Sequence, residues 1–338
     1  MNTSDGNPMT ERHIRFDVLD GWRGISILLV LATHLLPLGP KAWQLNVTTG
    51  PVGMALFFTL SGFLITNFLI HKPDVISFMI RRFVRIVPLA WLCMLIALIW
   101  VDANPGVWAA NLLFYSNWPP MQLPSVFTPF WSLCVEMQFY VGIALLVVIF
   151  RDRGLMLLPI ICVIVTLFRA MNGVHVAINT YYRVDEILAG CILALVFNRR
   201  LGDGVRNWVA RMNPFVLITL FLISCHPEGD FMNYFRPYLA ALLVGWSIFN
   251  PDARLSRLLC SRLLVYIAAI SFALYVLHPL LAHTWLGSGE QFEKYAKRPL
   301  LFGLLFLLAH FSTFYFEHRC IAWGKDIAAR ISSRGVRE

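Results

Sequence analysis

Arg23 and His34 stand eleven residues apart in "GWRGISILLVLATHLLPL", residues 21–38, an apolar stretch that keeps a guanidinium at one end and an imidazole near the other. Neutral imidazole, with an unperturbed pKa near ~6.5, suits the removal of a proton at neutral pH. Further ionisable groups sit in or at the start of other apolar stretches: Glu136 in "FWSLCVEMQFY", Arg183, Asp185 and Glu186 in "YYRVDEILAG", and His278 in "ISFALYVLHPLL". Each such group costs about 2.5–3.5 kcal/mol on insertion, so each asks for a reason. "IRRFVRIVPLAW" supplies Arg81, Arg82 and Arg85, the last two at i, i+3 and so on a common helical face. Planar guanidinium forks match phosphate oxygens, which makes this cluster suited to an anionic ligand.

The elements that must carry these groups are membrane helices. The 338 residues are 58% hydrophobic and 14% charged, with a mean hydropathy of +0.66, whereas soluble globules carry about 25% charged residues. Runs such as "YVGIALLVVIF" lack the period-two alternation of a transmembrane strand. The expected fold is all-α, a polytopic transmembrane bundle of about ten helices. Its spans fall near 21–38, 52–71, 85–101, 130–150, 154–172, 180–197, 213–226, 233–250, 262–286 and 299–319. The weakest is the short "NPFVLITLFLISC".

Charge orients the bundle. Arg12, Arg15, Lys72, Arg81, Arg82, Arg151, Arg153, Arg199, Arg200, Arg206, Arg211, Arg254, Arg257, Lys325, Arg330, Arg334 and Arg337 fall in alternate segments, while 102–129, 173–179 and 227–232 contain no Lys or Arg. Lys41, Lys294, Lys297 and Arg298 are the exceptions, so the positive-inside rule selects N-in, C-in. The net charge of +9 is then a topology signal with no nucleic-acid footprint, because the basic residues alternate with spans. By helical rise His34 lies ~16 Å beyond Arg23, in the outer half, at a depth shared by Glu136, Arg183, Asp185, Glu186 and His278. The first span keeps its Arg and His and has no small-residue cleavage site, so it is expected to be retained. Seven cysteines without paired spacing read as small buried hydrophobes, and no metal site is expected. The expected division is a cytoplasmic tail at 1–20, one membrane domain at 21–323 and a basic cytoplasmic tail at 324–338.

In order along residues 19–318, "LDGWRGISILLVLATH", "FFTLSGFLIT", "RRFVRIVPLAW", "FWSLCVEMQFY", "RVDEILAG", "ISFALYVLHPLL" and "FSTFYFEH" resemble the acyltransferase-3 family of membrane O-acyltransferases. The resemblance implies a ten-helix bundle in the bacterial plasma membrane that moves an acyl group, usually acetyl from acetyl-CoA or another acyl-CoA, onto a carbohydrate or glycolipid hydroxyl. It implies that Arg23 and His34 are the essential pair of helix one and that Arg82 and Arg85 form the cytoplasmic Arg-x-x-Arg motif associated with acyl-CoA. Two departures stand out: Ala90 replaces a common aromatic, and Glu317-His318-Arg319 lacks the proline that often follows the last-helix glutamate. The esterase-like domain fused to some members is not expected here.

Each residue also has a plainer reading. His34 is either a general base or a packing histidine, and Glu136 either orients that base or pairs with Arg183. Arg23, Arg82 and Arg85 either hold the cofactor's phosphates or anchor the chain at the membrane face. His278, ahead of Pro279 where the helix is open to interruption, serves acceptor binding or polar packing. Ser61, beside Gly62, reads first as a packing residue and second as an acyl carrier. The aromatic residues of "NPGVWAANLLFYSNWPP" are interfacial anchors or a sugar-stacking surface. Two rival functions remain open: a proton-coupled secondary transporter, given the buried His, Glu, Asp and Arg, and a catalytically silent binding subunit.

Overall fold

A computed structural model describes residues 8–334, and among these every regular element is helical. The first seven residues of the expected amino-terminal tail and the last four of the carboxy-terminal tail, Arg337 among them, lie outside the described residues. In chain order the helices are α1 (Pro8–Leu35), α2 (Leu45–His71), α3 (Val75–Trp100), α4 (Pro105–Leu112), α5 (Trp131–Phe150) and α6 (Leu158–Met171). They continue with α7 (Thr180–Arg183), α8 (Asp185–Phe197), α9 (Asp203–Ala210), α10 (Pro214–Cys225), α11 (Arg236–Phe249) and α12 (Arg254–Leu259). The last are α13 (Arg262–Ala269), α14 (Ser271–Ala282), α15 (Gln291–Ala296), α16 (Arg298–Phe311) and α17 (His318–Arg334).

Among the described residues five helical stretches are long and apolar enough to cross a bilayer: Asp17–Leu35, Lys41–His71, Val75–Trp100, Ser125–Met171 and Arg298–Ala328. The bent pairs α9–α10, at 90°, and α13–α14, at 63°, raise the number to seven if each is one span. A count of about ten requires α5 and α6 to be taken separately and α8 and α11 to be admitted as well. The first condition has a local basis: Arg151 caps α5 at φ 54, and a 3-10 segment, Arg151–Leu157, precedes α6. The second meets a length limit, since α8 has 13 residues and α11 has 14 against the roughly 20 needed for a straight crossing. "NPFVLITLFLISC" forms α10, with Asn213 capping its first turn through Phe215 N at 2.9 Å.

The chain divides into two compact units, the first made of Met1–Leu64 and Glu186–Ser271, the second of Ile65–Asp185 and Phe272–Glu338. In the first unit α1 packs against α11, α12 and α13, and the Trp22 indole donates to Ser247 Oγ at 2.9 Å. Where α2 meets α8 two glycines face backbone directly. A Cβ on Gly62 would stand 1.9 Å from the Ile187 carbonyl oxygen, and one on Gly190 would stand 2.0 Å from that of Thr59. Close backbone approach through small residues is the usual basis of helix association in lipid, where apolar side chains gain little by burial. Glu186 and Arg236, both fully buried, are joined by a 2.7 Å ion pair in the same unit.

In the second unit α3 packs against α5 and α17. Asp74 caps α3, accepting from Ser77 N at 3.0 Å. Gly324 allows the approach of α17, since a Cβ there would lie 2.9 Å from the Val84 side chain. Arg169 and Asp185, each almost fully buried, pair at 3.1 Å. Inside the apolar core such a pair is costly to break, because removing one partner strands the other's charge.

Candidate active site

The cluster with the plainest chemistry lies in the second unit. Arg81, Arg82 and Arg85 of α3 and Lys325 of α17 line a cavity of about 240 Å³, together with Phe68 and Phe78. The arginines are held by aromatic faces: Arg81 lies 5.9 Å from the Phe68 ring, and Arg82 lies 5.8 Å from Phe78 and 5.7 Å from Tyr140. Such stacking fixes a planar guanidinium while leaving its edge donors directed elsewhere. Sequence reasoning found Arg82 and Arg85 but treated Lys325 as a tail charge. The signal for Lys325 is the preceding glycine, which seats α17 on α3.

Arg82 leads directly to Glu136. The Tyr140 hydroxyl donates to the Glu136 carboxylate across one turn of α5, and both residues are buried. The sequence left Glu136 two roles, orienting His34 or pairing with Arg183. In the structure Glu136 accepts from a tyrosine, and the Arg183 guanidinium stands 5.4 Å from the Trp131 ring. Asp185 takes Arg169 as its ion-pair partner, with Thr166 Oγ1 donating at 3.4 Å. Tyr140 and Arg169 were not flagged from the sequence: a tyrosine in an apolar span carries no formal charge, and Arg169 stands at the edge of its span.

Glu317 occupies a π-helical segment, Ser312–Glu317, between α16 and α17. Its carboxylate accepts from Ser312 Oγ at 3.2 Å and Thr313 Oγ1 at 3.1 Å, and Arg85 acts on it electrostatically. Short π segments concentrate at functional sites. His278 is buried, and Pro279 explains its geometry. Proline has no N–H to give the carbonyl four residues back, which is that of Tyr275. His278 Nδ1 donates to that oxygen instead, at 2.7 Å. The helix therefore runs through Pro279 unbroken, and the interruption expected there falls earlier, between α13 and α14. Tyr275 is fixed by Ser132 Oγ at 2.5 Å and by donation to the Pro129 carbonyl.

In the first unit Arg23 and His34 stand on one continuous helix, as their spacing requires. Arg23 pairs with Asp20 one turn earlier at 3.2 Å. His34 is exposed in the last turn of α1. Ser61 is half-buried beside the Gly62 contact with α8.

A larger cavity of about 890 Å³ in the second unit is lined by loop residues Tyr115 and Trp118 with Phe83, Trp91, Gln138 and Thr180. Its rim is ordered by Gln138, which accepts from Trp118 Nε1 at 2.7 Å and Thr180 Oγ1 at 2.6 Å. All seven cysteines are free, and among the described residues no group of three or more His, Cys, Asp or Glu could hold a metal ion.

Apolar crossing helices, a cavity lined by three arginines and a lysine, and buried acid and histidine groups define a multi-pass membrane protein. The chain belongs to the acyltransferase-3 family: the family model for its acyltransferase domain matches residues 16–318. It is 27% identical over 309 residues to the peptidoglycan O-acetyltransferase OatA of Listeria monocytogenes, covering 77% of this chain and 48% of that protein. It is 25% identical over 323 residues to YrhL of Bacillus subtilis, provisionally named a peptidoglycan O-acetyltransferase, covering 80% and 49%. A provisionally named O-acetyltransferase of Staphylococcus aureus (strain COL) is 25% identical over 332 residues, covering 82% and 52%. The chain thus spans about half the length of the curated relatives it matches. No solved structure matches it. The family and the bacterial relatives place it as an integral protein of the plasma membrane.

Proposed function

We propose that the protein is a membrane O-acyltransferase that moves an acyl group, acetyl in the simplest case, from cytoplasmic acyl-CoA to a hydroxyl of a carbohydrate acceptor. The observation that carries this reading is the cavity where Arg81, Arg82, Arg85 and Lys325 converge, linked through Arg82 to the buried Tyr140–Glu136 pair. Four cations on one cavity suit the phosphates of a nucleotide thioester, and Arg23 adds a further cation at the inner end of the first span. The bundle is N-in, C-in in this reading, which puts the cavity on the cytoplasmic face.

The chemistry is acyl transfer. The acceptor oxygen attacks the thioester carbonyl while His34 takes the hydroxyl proton. The tetrahedral adduct collapses, the carbon–sulfur bond breaks, and the imidazolium returns the proton to the departing thiolate. Glu136 supports the charge that develops on the base. Arg183, Asp185, His278 and Glu317 hold the surrounding helices and the acceptor, while Ser61 packs beside Gly62. The relatives' names favour a peptidoglycan-type glycan as acceptor, and the aromatic cavity at Tyr115 and Trp118 offers ring faces for sugar.

The test uses the reconstituted full chain, labelled acetyl-CoA and a soluble peptidoglycan fragment, with release of free CoA as the readout. His34→Ala is expected to lower turnover by roughly 10²–10⁴-fold while protein remains folded in the membrane. Unchanged turnover would remove the general-base role. Labelled donor without acceptor, followed by intact-protein mass, separates direct transfer from an acyl-enzyme.

A further inference from the structure

The first unit carries a second cavity that the acyl-transfer reading does not use. It is an apolar groove of about 250 Å³ formed by Leu193 and Val196 of α8, Val205 and Trp208 of α9, and Tyr238 and Ala241 of α11. The lining positions on α8 start at Ala189 and end at Val196, so the groove follows two turns, about 10 Å by helical rise. Helix α9 roofs one end and lies at 90° to α10, the orientation of a short interfacial helix at the end of a span. Its Val205 and Trp208 sit at i, i+3, line the groove and remain 41% and 57% exposed.

The same end of the groove is strongly basic. Arg199 and Arg200 follow Val196 within one turn, Arg206 lies on α9 and Arg211 follows it, against a single carboxylate, Asp203. Asp203 pairs with Arg199 at 3.4 Å. Arg206 is held with its guanidinium 5.4 Å from the Phe249 ring, at the adjoining end of α11. The slot's own lining is uncharged; the arginines stand on the segments that continue from its α8 wall and flank its α9 wall, and the positive-inside rule accounts for such charges but not for an apolar slot beside them.

We infer that this groove is a binding site for an anionic phospholipid of the surrounding bilayer, one acyl chain in the slot and the phosphate among Arg199, Arg200, Arg206 and Arg211. Apolar lining alone would accept any lipid; the guanidiniums select the anionic head. Basic pockets between membrane helices bind such headgroups, and each guanidinium near the phosphate contributes about fivefold in affinity.

The experiment measures lipid retained by the detergent-purified full chain after exchange into equal amounts of phosphatidylglycerol and phosphatidylcholine with the same chains, read by native mass spectrometry. Phosphatidylglycerol is expected to be retained at least fivefold over phosphatidylcholine. Arg206→Gln with Arg211→Gln should bring the ratio near one, and Ala241→Phe, which fills the slot, should reduce retained lipid of both kinds. Equal retention of the two lipids by the wild type, or an undiminished preference in the arginine double variant, overturns the inference. Displacement of the preference by millimolar inorganic phosphate also overturns it, since the site would then hold a free anion. The arginine variant is at the surface and decides the matter even if Ala241→Phe does not fold. Because acyl transfer is not the readout, failure here leaves the proposed activity untouched.

Discussion

Tyr140 is the residue on which the arginine cavity and the buried acid both lean: its ring faces Arg82 and its hydroxyl serves Glu136. Tyr140→Phe keeps the ring and removes only the donor. It is expected to lower turnover with little change in KM for the donor, and to destabilise the fold by about 1–3 kcal/mol because a buried acceptor loses one of its donors. Steady-state kinetics beside thermal unfolding in detergent checks both; a raised KM with normal turnover would assign Tyr140 to donor binding. Arg169→Met should strand Asp185 at a cost of about 3–5 kcal/mol, and adding Asp185→Leu should recover much of it. At this scale the sequence displayed the buried acids and histidine but not Arg169 or the neutral partners. Ionisable groups in apolar spans announce themselves by their cost, so Glu136, Asp185 and His278 could be found by inspection. Tyr140 and the Pro279-freed carbonyl of Tyr275 stand one turn from Glu136 and Pro279, a spacing the sequence contains, but neither carries a charge that draws attention to it.

Helix contacts divide into those set by small residues and those set by charge. Gly62→Leu should fail to accumulate in the membrane or should unfold at markedly lower temperature, because its side chain would enter the space of the Ile187 carbonyl. The activity of Ser61→Ala reports whether the hydroxyl carries acyl groups. Lys325→Gln is expected to raise the KM for acyl-CoA several-fold with turnover retained, since its only role would be to meet a phosphate of the bound donor; lowered turnover at saturating donor contradicts that role. Hydropathy located the long helices well, because a crossing of ~30 Å demands an apolar run. It located bends poorly. The break between α13 and α14 lies inside an apolar run whose composition hardly changes across it, whereas the one before α10 is marked by the change from the polar α9 to an apolar helix.

For the molecule as a whole the decisive property is orientation. With Cys260 and Cys320 replaced by serine, Met121→Cys is expected to react with a membrane-impermeant maleimide in intact cells, and Asp326→Cys only after the membrane is opened. The reverse pattern would invert the bundle and put the arginine cavity on the side without acyl-CoA. The lysine and arginine distribution supplies the expected orientation that this labelling tests, whereas the division into two compact units, with boundaries inside α2 and at 185/186 and 271/272, was not legible in the sequence. That division joins segments more than a hundred residues apart in sequence, and no local pattern encodes it. The π segment at Ser312–Glu317 carries a last consequence. It holds one residue more than an α-helical turn would and so can absorb the loss of one position, whereas deleting one residue of the regular helix just after it, between Glu317 and Ile321, would rotate everything beyond by about 100°. Gly324 would leave Val84, and Lys325 would swing away from the three arginines: a one-codon lesion, outside the cavity, that disarms it while every cavity-lining residue is still present.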